Sequence, residues 1–247
     1  MPLTFAHPAA VLPFSRKSKY LHFSALVLGS MAPDFEYFVR GRPIAEIGHN
    51  LTGFFMFNLP LTILFYMIYR ICISQGLMQH LPKCLQDTTY QPVTKSKLVN
   101  IIVFSYSALL GMLTHVFWDA FTHQHGFMVT TFPILSQTFQ IGIFQIPVYK
   151  LLQHGSTLLG IALIIGYVYN RAAHSPKGSL PTIYPKQKFL FWLAVFGLTF
   201  SSIYFWYAID QQPLYSYGVL VVRIVDAFFC SLLTVSLLTT YKRRCFE

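Results

Sequence analysis

Long uninterrupted runs of apolar residues, separated by short polar segments, dominate the pattern of this chain. Five runs read as membrane-spanning helices: Leu51–Ile73, Leu98–Phe121, a run opening at Gln153-His154 and reaching Tyr169, Phe189–Ile209, and residues 218–241. Crossing the hydrocarbon core takes about 20 mainly apolar residues. Pro60 lies inside the first run and predicts a kink there. A further run, Tyr20–Ala32, is stopped or bent by Pro33-Asp34-Phe35-Glu36-Tyr37. It crosses the bilayer only if it extends through Phe38; otherwise it is a short or re-entrant helix. The opening stretch to Phe14 is apolar but broken by Pro8 and Pro13, and it is too short to span. The expected fold is all-α: a polytopic membrane helical bundle of five firm spans plus a short or re-entrant N-terminal helix, in one membrane domain over residues 1–247.

Composition strengthens this picture. Only 11% of the 247 residues are charged and 54% are hydrophobic, whereas a water-soluble domain carries about 25% charged residues. The 24 Phe and 15 Tyr suit the two interfaces of a bilayer, where aromatic rings collect. The net charge of +10 would ordinarily suggest nucleic acid, but the basic residues sit between or beside the apolar runs, where they act as topology signals. Nucleic acid is therefore not an expected partner; the lipid bilayer is. Segments 74–97 and 170–188 and the end Lys242-Arg243-Arg244 are basic, while segments 122–149 and 210–217 hold no Lys or Arg. The alternation puts the C-terminus in the cytoplasm and segment 122–149 outside. Arg16, Lys17 and Lys19 follow the first apolar residues instead of preceding them, which argues against a cleaved signal peptide. Cys72, Cys84, Cys230 and Cys245 make no C-x-x-C pair and suggest no disulfide framework.

The candidate chemistry centres on Leu113-Thr114-His115-Val116-Phe117-Trp118-Asp119. His115 and Asp119 are four apart, so on a helix they share a face, and an imidazole with a carboxylate at that spacing can hold one metal ion. A plain hydrogen bond at a helix end explains the pair equally well in isolation. Topology then adds Asp34, His49 and His154, which fall on the same membrane face as His115 and Asp119. Asp34 alone reads equally as a ligand or a turn cap. His7 joins this group if Tyr20–Phe38 does not cross, and lies opposite if it does. A cluster of imidazoles and carboxylates suits a first-row divalent ion, most simply Zn²⁺, as one or two ions. At a membrane surface its substrates would be lipids or lipid phosphates. Ser156 and Thr157 read as helix caps, and Arg223 with Asp226 as an internal ion pair. The chain has no G-x-S-x-G elbow, P-loop or dinucleotide fingerprint.

The stretches MPLTFAHPAAVLPF, LVLGSMAPDFEYF, GHNLTGFF, THVFWDAFTHQHG and LLQHGSTLLG resemble the bacterial membrane proteins grouped as domain of unknown function 4184, over roughly residues 1–160. That resemblance implies a bacterial inner membrane and no particular activity. A weaker one extends to membrane-bound metal-dependent hydrolases and zinc-dependent phospholipase C. It matches His7, Asp34, His49, His115 and Asp119 to a His, Asp, His, His-x-x-x-Asp order. It implies a metal-bridging role for Asp119 and a ligand role for His123. The same pattern ends in His-x-x-x-Glu, but Leu158 stands four residues after His154, so a full three-metal set is not implied. Three functional classes follow: a metal-dependent phosphoesterase or phospholipase-like hydrolase, an ion or proton path through the membrane, and a structural polar cluster without turnover.

Overall fold

The computed structural model describes residues 3–14, 16, 18–87, 96–175, 183–210 and 216–246. It is an all-α polytopic helical bundle, with one small hairpin as its only sheet among those residues. Five helices are long and apolar enough to cross a membrane: Leu51–His80, Lys97–Thr131, Val148–Ala173, Pro185–Asp210 and Tyr217–Tyr241. All five expected spans are present. The first runs seven residues beyond Ile73, because Ser74–His80 continues the helix where sequence suggested a loop. Residues 88–95, 176–182 and 211–215, which include parts of the three expected connecting segments, lie outside the described residues.

The elements in chain order are a 3-10 helix, Thr4–Val11; α1, Phe23–Gly29; a 3-10 turn, Ala32–Asp34; α2, Phe35–Arg40; α3, Leu51–His80; α4, Lys97–Thr122; α5, Phe127–Thr131; strands β1, Thr138–Ile141, and β2, Phe144–Pro147; then α6, Val148–Ala173; α7, Pro185–Asp210; and α8, Tyr217–Phe246. The Tyr20–Phe38 run is thus split. Seven residues of α1 rise about 10 Å, far short of the hydrocarbon core, and the Pro33 turn separates them from α2. In α3, Phe54–Asn58 adopts wide i→i+5 hydrogen bonding directly before Pro60. This is how the irregularity expected at that proline appears: the ring supplies no N–H to the regular ladder.

The chain forms two compact units, Met1–Asp34 with Ile47–Ile63 and Gln91–Val168, and Phe35–Glu46 with Leu64–Tyr90 and Tyr169–Glu247. In the first, α1 lies against α4 through residues with little or no side chain. A Cβ on Gly29 would collide with the Ala108 carbonyl, and one on Gly111 with the Leu26 carbonyl. Ala25, Leu26 and Ala108 are fully buried in this seam. Without a hydrophobic force between helices in lipid, such small-residue contacts let backbones approach and gain van der Waals packing. The 3-10 helix docks on α6 in the same way: a Cβ on Gly160 would come within 2.9 Å of the Ala6 carbonyl, and the Leu3 amide donates to Thr157 Oγ1 at 3.2 Å. Ser156 and Thr157 lie eight and nine residues into α6, so they are not its caps. Ser156 Oγ instead accepts from Trp118 Nε1 at 3.1 Å.

In the second unit Ile73, Phe191, Val195, Leu232 and Val235 form the core, with Cys72 packed against it. Cys230 is exposed and no disulfide is present among the described residues. Buried Glu36 accepts from Arg40 Nε at 2.9 Å and from the Glu46 amide at 3.0 Å, which satisfies the acid that sequence marked as costly. Arg223 pairs with Asp210 and not with Asp226, and its guanidinium also lies over the rings of Trp206 and Tyr207. One oxygen of the Asp226 carboxylate is buried without a hydrogen bond, and so are Nε and Nη1 of Arg223.

Replacing Gly111 with Val should destabilise the protein by about 2–3 kcal/mol or more through overpacking against α1. Gly155→Ala, where nothing lies within 4 Å of the added carbon, should be neutral or stabilising. Thermal unfolding of the two variants in detergent checks the contrast.

Candidate metal centre

Four separate segments of the first unit meet at one point. His7 comes from the middle of the 3-10 helix, Asp34 from the Pro33 turn, His49 from the loop before α3, and His115 with Asp119 from one face of α4. Each is positioned by local chemistry. The α1–α4 seam brings the Ser30 carbonyl to His115 Nδ1 at 2.7 Å, so that nitrogen carries the proton and Nε2 presents its lone pair inward. The Thr4 hydroxyl donates to Asp34 Oδ2 at 2.6 Å, leaving Oδ1 free. Asn50 caps α3, its Oδ1 accepting from the Gly53 amide at 2.7 Å. Buried Asn58 donates to the Gly48 carbonyl at 2.6 Å. These two bonds fix the loop that carries His49. The His7 ring stacks on His115 with centroids 3.7 Å apart.

The donor atoms are regularly spaced. His115 Nε2 lies 3.3 Å from Asp119 Oδ2 and 3.6 Å from Asp34 Oδ1. His49 Nε2 lies 3.7 Å from Asp34 Oδ1 and 3.8 Å from Asp119 Oδ2. Donors held about 2.0–2.1 Å from a tetrahedral ion stand about 3.3 Å from one another, so these four separations are close to ligand spacing. On the other side of Asp119, His7 Nε2 stands 3.7 Å from Oδ1. The sets His7, Asp34, His115 and His49, His115, Asp119 each place one donor atom per residue within 4.8 Å of the others.

Burial makes the arrangement expensive as it stands. His115 and Asp34 are fully buried, and His7 and Asp119 nearly so. His7 Nε2, Asp34 Oδ1, His115 Nε2 and Asp119 Oδ1 have no hydrogen-bond partner. A buried polar atom left unsatisfied costs roughly 1–3 kcal/mol, and more if charged. A divalent ion would bring two positive charges to a point that two carboxylates, Asp34 and Asp119, face. Outside the spans, burial and then the neighbouring His115 push the His7 imidazolium down to about 3, so its ring is neutral and its lone pair available. Burial pushes the Asp34 carboxyl above its ordinary range, against the pull of His115 and the Thr4 hydroxyl.

The other two candidates differ in position. His123 caps the end of α4. Its Nδ1 lies 3.0 Å from the Asp119 carbonyl and 3.6 Å from Asp119 Oδ1, and its side chain is partly exposed. It borders the cluster without entering either three-residue set. His154 is exposed on α6 and is in neither set; its neighbour Gln153 is the buried residue. Thr4 and Ser30 escaped the sequence reading. A hydroxyl that supports a carboxylate and a carbonyl that orients an imidazole leave no mark in spacing or composition. The fork over His7 closes in favour of the cluster, because α1 is too short to carry the preceding segment across.

Between about pH 3 and 6.5 the unfolded chain holds a proton on His7 that the folded chain lacks. Its neutral form therefore contributes stability in full above pH 6.5, and that contribution falls as pH drops through the window. In metal-free protein, His7→Gln should flatten the fall in unfolding temperature between pH 6.5 and 4, which a pH series of melts would show.

Against known proteins, the family described as domain of unknown function (DUF4184) matches residues 1–237, and the chain belongs to it. No curated protein and no solved structure is significantly similar to the chain.

Proposed function

We propose that this DUF4184 member is an integral membrane metal-dependent hydrolase acting on phosphoesters of lipids or lipid-linked molecules. The observation that carries the reading is the convergence of four buried, unpartnered donor atoms from His7, Asp34, His115 and Asp119 on one point. Structural polar clusters satisfy their members; this one leaves its inward-facing atoms open. Asp34 Oδ1, His49 Nε2, His115 Nε2 and Asp119 Oδ2 would hold one ion. His7 would join these residues if a second ion were held. The borderline N/O donor set suits Zn²⁺.

A bound ion would supply Lewis acidity, lowering the pKa of water and neutralising charge on a phosphoryl oxygen. The chain's own residues do the rest. Ser30 and Thr4 hold His115 and Asp34 in ligand orientation. Leu26, fully buried in the α1–α4 seam, would keep water out on that side. His49 and His123, the partly exposed members, mark the open side. The positive-inside pattern supports an outer-face site with the C-terminus in the cytoplasm of a bacterial inner membrane.

Elemental analysis of detergent-purified protein should find near-stoichiometric zinc or manganese, lost in a His115→Ala, Asp119→Ala double variant. The parent should then release phosphate or a phosphorylated headgroup from a lipid panel, and the variant should not. A folded, metal-free parent that gains nothing from added metal rules the hydrolase out. Ordered binding without hydrolysis would leave an ion-binding role. Thr4→Val removes only a supporting hydrogen bond and should weaken metal affinity by about 10–100-fold without changing stoichiometry, as chelator competition would measure.

A further inference from the structure

The segment between α4 and α6 contains a feature that the metal reading does not use. No Asp, Glu, Lys or Arg occurs between Asp119 and Lys150. Sequence suggested a plain external loop here, but the segment folds into α5, a 3-10 turn at Pro133–Ser136, and the hairpin β1–β2. Phe139 pairs with Ile146 and Gln140 with Gln145 across the antiparallel ladder. Strand side chains alternate between faces, so Phe139, Phe144 and Ile146 share one face and the two glutamines the other. Gly142, with φ 62°, makes the tight turn, and the Val148 amide closes the base on the Gln137 carbonyl at 2.9 Å.

Among the described residues most of this apolar face is exposed, Ile146 being partly buried. Ile143 at the tip is 89% exposed, and Phe127, Phe132, Ile134, Phe139 and Phe144 are each at least half exposed. In water that would be a large apolar patch, and patches of this kind mark binding surfaces. An isolated two-stranded hairpin is marginally stable in water. The hydrocarbon core is excluded too, because the outer edges of both strands carry backbone groups that lipid chains cannot satisfy. The boundary between headgroups and acyl chains meets both demands. Covalent geometry puts the hairpin there: β2 ends at Pro147 and α6 begins at Val148. The 26 residues of α6 rise about 39 Å, more than the roughly 30 Å core. Its first turns, with Lys150, therefore stand among headgroups.

We propose that the hairpin Thr138–Pro147, with Phe127, Phe132 and Ile134, lies in the headgroup–acyl boundary of the bilayer that the spans cross, its apolar face and tip toward the acyl chains. The occupant of this surface is phospholipid. The segment leaves α4 at the end that bears Asp119 and His123, so it would border the metal centre with lipid rather than water. The placement does not depend on that centre being catalytic.

The test uses the full chain in nanodiscs of phosphatidylcholine and phosphatidylglycerol. An environment-sensitive fluorophore is attached at Ile143→Cys in a background whose four native cysteines are replaced by serine. In the same background, Cys84 retained alone, where it is exposed, serves as the water reference, and Leu163→Cys on α6 as the lipid reference. Quenching at position 143 should be at least about threefold stronger with a nitroxide carried near the lipid headgroup than with aqueous iodide, as for an interfacial element. Stronger quenching by iodide overturns the proposal. Shielding from both quenchers overturns it as well, and points to a second copy of the chain on this face. Hydroxyl-radical footprinting of the unaltered protein asks the same question without substitution. Phe139 and Phe144 should be protected relative to exposed Tyr20 after correction for intrinsic reactivity; equal oxidation overturns the proposal.

Discussion

At Gly29 and Gly111 there is no room for a side chain, and the polar centre depends on that constraint. The two backbones touch, so the Ser30 carbonyl reaches His115 inside a seam otherwise made of Ala25, Leu26 and Ala108. That hydrogen bond decides which imidazole nitrogen faces the centre. The next turn of chain, stiffened by Pro33, delivers Asp34 to the same place. A larger residue at either glycine would shift Ser30, and with it the tautomer and the position of the carboxylate. Packing without side chains is therefore the step that turns a membrane helix pair into a site with chemistry.

The centre departs from what a bilayer protein otherwise does with its polar groups. Several buried polar groups elsewhere find partners: Glu36 with Arg40 and the Glu46 amide, the Asn58 amide with the Gly48 carbonyl, Thr62 with the Asn58 carbonyl. His7, Asp34, His115 and Asp119 are held rigidly by outer contacts, yet their inward atoms stay open. Intramembrane ionisable groups are expensive and tend to mark function.

Much of this was legible in the sequence because bilayer physics is coarse. Runs of about 20 apolar residues have few alternatives, so the five spans could be placed without any knowledge of contacts. His115 and Asp119 were legible because helical spacing fixes their shared face. His49 and Asp34 could be added because topology constrains side as well as depth. His154 was placed with them by the same logic, but side alone does not bring a ring to a point, and it faces outward. The split of Tyr20–Phe38 and the docking of His7 depend on glycine contacts between segments 80 to 150 residues apart, which periodicity cannot register. The β-hairpin was hidden for a different reason. Its ladder is only four residues long on each side, and its glutamines and prolines read equally well as loop.

The shortness of α1 also bears on how the protein is made. A helix of seven residues offers too little apolar length to partition into lipid during synthesis. Its partner surface on α4 emerges from the ribosome about 80 residues later, so the first segment must wait at the membrane surface until α4 has been inserted. His7 and Asp34 therefore meet His115 and Asp119 only after the second span is in place, and the centre forms by docking of an already translated arm.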